Sequence, residues 1–501
     1  MTGNLFQRFK AAAAGAVWPM IRPLQGPSLS HADCFAIAAR FAHVLARHGV
    51  KPGDRVAVQV EKSPNAVCLY LACLRAGAVY LPLNTGYTPS ELAYFAGDAE
   101  PSLFVCAPAN LERISAALPP MKFLTLDDKG CSGSLIDEAR NQPADYADAD
   151  VGMSDLASIL YTSGTTGRSK GAMITHGNLC SNAESLRDTW HFERQDVLLH
   201  ALPIFHIHGL FVAINVTLIS GAGMILLPKF DLDAIFGALP EATLMMGVPT
   251  FYTRLLGDSR LGPGTTRPIR LFISGSAPLL ADTHREWQAR TGHAILERYG
   301  MTETGMNTSN PYDGPRVPGS VGVALPGVEL RIANKDGTAC SPGEIGLIEV
   351  RGPNVFKGYW RMPDKTAAEF RADGFFITGD LGRIDENGYL HILGRDKDLI
   401  ISGGFNVYPK EVESLIDELP GVTESAVVGL PHRDFGEGVT ACVVTGKDSA
   451  LTERDVLDAL AAKLARFKHP KRVIFIDALP RNTMGKVQKN LIREKFAKLY
   501  D

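Results

Sequence analysis

From Ser30 to about residue 310, short apolar runs alternate with longer amphipathic stretches, and this alternation constrains the fold more than any other feature. The pattern reads as helix (34–48), the turn Gly49-Val-Lys-Pro-Gly53, strand (55–59), helix (64–76) and strand (79–82). Thr88-Pro-Ser-Glu91 then opens another helix, with a hydroxyl cap, proline in the first turn and an acid three residues on. Strand and helix in alternation require layered α/β architecture with mostly parallel sheets. After Pro311 the texture changes to short alternating runs (328–332, 346–350, 389–393) separated by Lys335-Asp-Gly337 and Glu386-Asn-Gly388. These predict a small antiparallel β module. The charged segment 394–398 is the expected boundary, beyond which helix (409–419), strands (422–428, 439–444), helix (452–465) and strand (472–475) form an α+β unit. The expected organisation is therefore α/β: a large multi-layer domain over 1–396 with a small β module, then a small α+β domain over 397–501.

Composition narrows the function. With 501 residues and a net charge of −3, the chain has no electrostatic case for nucleic acid. Its eight cysteines, scattered without a CxxC pair, suit a reducing cytoplasm and exclude a disulfide framework or cysteine metal site. Leu5-Phe6-Gln-Arg-Phe9 followed by alanines could mimic a transit peptide, but its Phe/Leu face favours a docked amino-terminal helix. The uncharged run 210–228 contains Asn215, Ser220, Gly221 and Gly223, and is read as buried helix, turn and strand, with no membrane span expected.

Tyr161-Thr-Ser-Gly-Thr-Thr-Gly-Arg-Ser-Lys-Gly171 lies between the apolar runs 156–160 and 172–175. Glycines let backbone N–H groups converge on an anion, and hydroxyls with Arg168 and Lys170 complete a polyphosphate cradle. The lysine is not followed by Ser/Thr at the GxxxxGK spacing, so this is not the common nucleoside-triphosphate loop; alone, a surface hairpin would look the same. Four further clusters lie downstream: Ile273-Ser-Gly-Ser-Ala-Pro-Leu279 after a strand, Glu297-Arg-Tyr-Gly-Met-Thr-Glu303, Thr378-Gly-Asp380 with Gly394-Arg395, and Pro480-Arg-Asn-Thr-Met-Gly-Lys486. They offer small residues and an aromatic face for a purine, a carboxylate and arginine for ribose, a hydroxyl and hard oxygen for phosphate and Mg²⁺, and a cation.

In this order the five motifs resemble the acyl-adenylate-forming superfamily of acyl- and aryl-CoA synthetases, adenylation domains and luciferases, over essentially the whole chain. The resemblance implies ATP, Mg²⁺ and CoA as reactants or cofactors. It places Thr162, Ser163, Gly164, Thr165, Thr166, Gly167 and Lys170 on the ATP phosphates. Gly275, Ser276, Ala277 and Tyr299 fall at the adenine, Asp380 and Arg395 at the ribose, and Gly300 also in the ATP site. Thr302 is expected at the α-phosphate, Glu303 as Mg²⁺ ligand, and Lys486 between the attacking carboxylate and the α-phosphate. It also implies a mobile carboxy-terminal domain pivoting at Lys397, with Gly403 and Gly404 lining a thiol tunnel, and Lys486 as a target for protein acetyltransferases and deacetylases.

The acid is indicated by Arg298, just before Tyr299, where the superfamily frequently places small or apolar residues. A buried arginine needs an anion, so a second substrate carboxylate is expected there, with His206 and Ser276 adding donors. The alternative is that Arg298 pairs with Glu297 and the pocket takes a simple fatty or aromatic acid. The stretch 297–311 and Met246-Gly-Val-Pro-Thr-Phe-Tyr252 are most similar to malonyl-CoA synthetases, implying malonate. Methylmalonate, another short acid, or a carrier protein as acyl acceptor are the alternatives.

Overall fold

The computed structural model describes residues 3–162, 169–446, 449–461, 463–482 and 485–500. The first helix, Leu5–Ala12, buries Leu5, Phe6 and Phe9, so the amino terminus is a docked helix as its Phe/Leu face suggested. Helix Pro64–Ala76 starts on a Ser63 cap and stops at Gly77 in the left-handed region (φ 67°), and its whole length is nearly buried. Thr88 and Glu91 form the reciprocal capping box expected of their spacing.

Two large sheets carry these helices. One runs in spatial order Lys122–Thr125, Leu103–Cys106, Arg55–Gln59, Val79–Pro82, Leu156–Thr162 and Lys170–Thr175. All its pairings are parallel except the last, an antiparallel hairpin in which Thr162 faces Lys170. The other has nine strands; Val197–His200, Leu244–Gly247, Leu271–Ser274 and Leu296–Met301 make its parallel centre. The candidate site residues of this sheet lie at the carboxyl ends of the central strands or just beyond, where open α/β sheets bind ligands. The stretch 210–228 is helical (His208–Ile214, Asn215–Ile219), then turns into strand Gly223–Leu226. Among the described residues no helix is long and apolar enough to cross a membrane.

A four-stranded antiparallel sheet follows, ordered Glu329–Ala333, Gly346–Arg351, Phe376–Ile384, Leu390–Arg395. The single turn Asp396–Asp398 comes next. Asp396 pairs with Lys335 of the β module (3.3 Å) and Asp398 with Arg493 of the last helix (2.7 Å), so the turn is tied on both sides. After it, Val422–His432 and Gly436–Thr445 pair over ten positions, and Arg472–Phe475 adds in parallel. Ile400, Val412, Ile416, Val427, Ala441 and Val456 pack an apolar core that draws on residues from Ile400 onward.

Candidate active site

Strand Leu296–Met301 sorts its side chains between two environments, because successive residues of a strand face opposite sides. Glu297 faces His284 (Oε1 to Nδ1, 3.3 Å), and burial pushes its carboxyl upward. Arg298 faces away from it. The alternative reading, a Glu297–Arg298 pair, is therefore not what the structure forms, and alternation along the strand is the physical reason.

Arg298 is 3% exposed, and its Nε and Nη2 have no hydrogen-bond partner among the described residues. Burial pushes the guanidinium down to about 9, opposed only by the Tyr252 phenol. Its plane lies against the backbone of Gly275: a Cβ there would sit 2.4 Å from Cζ. Only glycine admits that approach. Ser276 follows in the left-handed region (φ 73°), an uncommon conformation for a non-glycine residue, and its Oγ lies 3.1 Å from His208 Nδ1. His208 N donates to His206 Nδ1 (3.2 Å). Burial, with Lys486 and Arg298 nearby, lowers the His206 imidazole to about 3 and keeps it neutral.

At the other end of the cleft the charges are matched. Asp380 and Arg395 stand directly opposite each other on neighbouring strands, with Nε 2.8 Å from Oδ1. Tyr299 donates its hydroxyl to the other carboxylate oxygen at 2.5 Å, and the Asp380 backbone N donates to Thr378 Oγ1. An aromatic face, a carboxylate and an arginine thus form one preassembled unit.

Between the two ends comes Lys486. It sits in a turn in which Asn482 N donates to Lys486 O and Lys486 N donates to Asn482 Oδ1, both 3.0 Å. The Cβ position of Gly485 (φ 75°) is 3.9 Å from Thr250, in the first turn of the helix Pro249–Leu256 that follows a central strand of the nine-stranded sheet, so the turn reaches the amino-terminal part of the chain. Lys486 is solvent-accessible, yet it lies down a crevice whose walls carry charge. Desolvation there, then Arg395, lowers its ammonium, while Asp380 and Glu303 oppose this and Arg298 adds to it.

The described end of the hairpin carries Lys170, whose charge reaches Glu303. Of the hairpin loop's residues, Thr162 and Lys170 are placed, whereas Ser163, Gly164, Thr165, Thr166 and Gly167 fall outside the described residues. Trp360 N donates to Gly171 O (2.7 Å) and Lys357 N to Met173 O (2.9 Å), which stitches segment 357–360 along the hairpin. Tyr359 is thereby set under Lys170, whose Nζ is 4.0 Å from the ring centroid and 3.1 Å from Glu369 Oε1. The Tyr359 hydroxyl lies 2.6 Å from Glu369 and 3.0 Å from Glu303. Sequence reasoning named neither Tyr359 nor Glu369.

Glu303 is buried, which raises its carboxyl, and shares a pocket with Thr302. The described residues hold no cluster of three or more metal-ligating side chains. One hard carboxylate without a protein cage fits Mg²⁺ carried largely by nucleotide phosphates. Gly403 and Gly404 form the exposed turn between Ile400–Ser402 and Phe405–Val407 (φ 58° and 83°); Gly300 follows Tyr299 in its strand, and Ala277 lies three residues past the strand Leu271–Ser274.

The AMP-binding enzyme family model matches residues 10–360, and that of the AMP-binding enzyme C-terminal domain matches 411–486. The crystal structure of ATP-bound MatB from Rhodopseudomonas palustris is 60% identical, covers all of both chains and has a TM-score of 0.97. Apo MatB, at the same identity and coverage, has a TM-score of 0.87, so the present arrangement is nearer the nucleotide-bound one. Malonate–CoA ligase of Arabidopsis thaliana is 33% identical over 98% of this chain and 89% of its own. Feruloyl-CoA synthase of an Amycolatopsis species is 37% identical over 94% of each.

Proposed function

The chain belongs to the AMP-binding enzymes, and from that premise we propose that it joins malonate to coenzyme A through a malonyl-adenylate, releasing AMP and pyrophosphate. One observation carries the choice of acid: the buried guanidinium of Arg298 has no carboxylate partner among the described residues. An uncompensated buried charge costs several kcal/mol, and a dicarboxylic substrate supplies the missing anion. Among these two curated relatives identity does not choose the acid, since the malonate and feruloyl enzymes are about equally similar.

In the first step a malonate carboxylate oxygen attacks the α-phosphorus of ATP. The new C–O–P linkage forms as the bond to pyrophosphate breaks. Arg298 anchors the second carboxylate, with His206 and Ser276 as neighbouring donors. The Tyr299–Asp380–Arg395 unit, with Gly275, Ala277 and Gly300, holds adenosine. Lys486 lies between these ends, where its charge opposes the negative charge that builds as the two anions approach; this is electrostatic catalysis. Thr302 and the loop Thr162–Gly167 bind the phosphates, and Lys170 joins them by exchanging Glu369 for a phosphate oxygen. Glu303 would hold Mg²⁺, which when bound neutralises phosphate charge.

In the second step the CoA thiol attacks the acyl carbon. The C–S bond forms, the C–O bond to AMP breaks, and the thiol proton leaves. A pivot at Lys397 brings the Gly403–Gly404 turn to the cleft and withdraws Lys486, whose task is then complete. Acetylation of Lys486 would remove its charge and block the first step. The cytoplasm is the compartment proposed. The test is ATP–pyrophosphate exchange across malonate, methylmalonate, succinate, acetate and benzoate. Exchange strongest with malonate is the expected result; preference for acetate or benzoate refutes the reading.

A further inference from the structure

Lys62 is 6% exposed and follows the strand Arg55–Gln59. No described carboxylate answers its charge, and desolvation alone sets its ammonium well below the ordinary lysine value. Its Nζ instead faces three acceptors: Leu202 O at 2.7 Å, His200 O at 3.3 Å and His200 Nδ1 at 3.5 Å. Three acceptors match the three N–H bonds of an ammonium, while a neutral amine could not satisfy them all. His200 Nε2 points the other way and donates to Gly209 O (2.8 Å). The ring is held neutral, near 3, by burial and by Lys62, which fixes this tautomer.

Leu202 and Gly209 bracket one short segment, 203–208, and this segment delivers His206 and His208 to the acyl pocket. Lys62 grips its entry directly and its exit through His200. The segment is folded hard on itself: Leu210 N donates to His206 O (3.0 Å), and a Cβ on Gly209 would lie 2.0 Å from Pro203 O. From its far end His208 Nδ1 meets Ser276 Oγ, next to the Gly275 backbone that supports Arg298. His208 Nε2 is buried without a partner among the described residues, so neutral His208 also depends on its setting.

We propose that Lys62, acting through His200, is a positioning residue that fixes segment 203–208 and thereby the histidine wall of the acid pocket. A buried cation is a costly way to brace a loop; an apolar side chain would fill the space more stably. The structure accepts that cost where a loop must hold its histidines to within a fraction of an ångström. The described hydrogen bonds of Lys62 go to His200 and Leu202, neither of them assigned to acid or nucleotide, so its effect should reach the reaction through the acid pocket. The inference deepens the reading of the acid pocket, but it does not require that the acid be malonate.

The test compares wild type with Lys62→Met and Lys62→Gln in ATP–pyrophosphate exchange, using whichever acid of the panel wild type prefers. Lys62→Met keeps the length and apolar stem but removes every donor; it should raise the KM for the acid roughly ten- to hundredfold. The KM for ATP should stay within about twofold and the Tm should hold or rise. Lys62→Gln restores a donor toward Leu202 O and should recover much of the loss. Parallel changes in both KM values with a fall in Tm would reduce Lys62 to a general structural role. Unchanged acid KM in both variants would overturn the proposal. A wild type that prefers a monoacid would refute the malonate reading alone, leaving the Lys62 comparison to be read on that acid.

Discussion

Two arginines face this cleft, and they are built in opposite ways. Arg395, whose side chain is 36% exposed, has its counter-charge in place: Asp380 sits across the strand pair at 2.8 Å. Arg298, 3% exposed, has none among the described residues. Burial alone would call for the reverse, because desolvation penalises the deeper charge more. The nucleotide end is thus finished before ligand arrives, while the acid end is left one carboxylate short. On the proposed reading the substrate completes that end, which would make the unpaired charge a selectivity device: an acid lacking the second carboxylate would leave Arg298 uncompensated.

This contrast can be broken in graded ways. Lys486 stands between the two ends, so Lys486→Ala should have the largest effect, a fall in exchange of about a thousandfold. Thioester formation from supplied malonyl-adenylate should survive; equal loss of both half-reactions would remove Lys486 from its assigned step. Arg298→Met comes next, lowering kcat/KM for malonate about a hundredfold while sparing ATP binding. Its Tm should rise, since an unpaired buried charge is replaced by an apolar chain. Asp380→Asn should act with the opposite sign on stability: Tm falls by a few degrees as Arg395 loses its anion, and KM for ATP rises roughly tenfold. Matching Tm changes in these two variants would erase the distinction drawn here. Smallest is Tyr299→Phe, which deletes one hydrogen bond to Asp380 while keeping the ring, for a loss of about threefold to tenfold in ATP affinity; isothermal titration with ATP reads it.

Much of this site was legible in residue order because its parts are local. Thr88-Pro-Ser-Glu91 states its own capping box, and the two apolar runs around Thr162–Gly171 state a hairpin. Arg298 was identifiable as an unusual charge, yet its separation from Glu297 required knowing that 296–301 is a strand, since alternation decides which neighbour each side chain faces. The contacts that escaped sequence reasoning are long-range. Lys170 meets Glu369 across 199 positions and Lys62 meets Leu202 across 140, and no local pattern announces such partners. Glu369 and Lys62 each look, in sequence, like an ordinary surface charge.

The central claim is that Arg298 recognises the acid's second carboxylate, and a cycle pairing enzyme and substrate changes tests it most directly. Wild type and Arg298→Met are each assayed for kcat/KM in pyrophosphate exchange with malonate and with its monoamide, which keeps size and shape but loses the distal charge. The account predicts a coupling of about 2 kcal/mol or more, with malonate preferred about thirtyfold or more by wild type and that preference gone in the variant. Equal preference for malonate in both enzymes would contradict it.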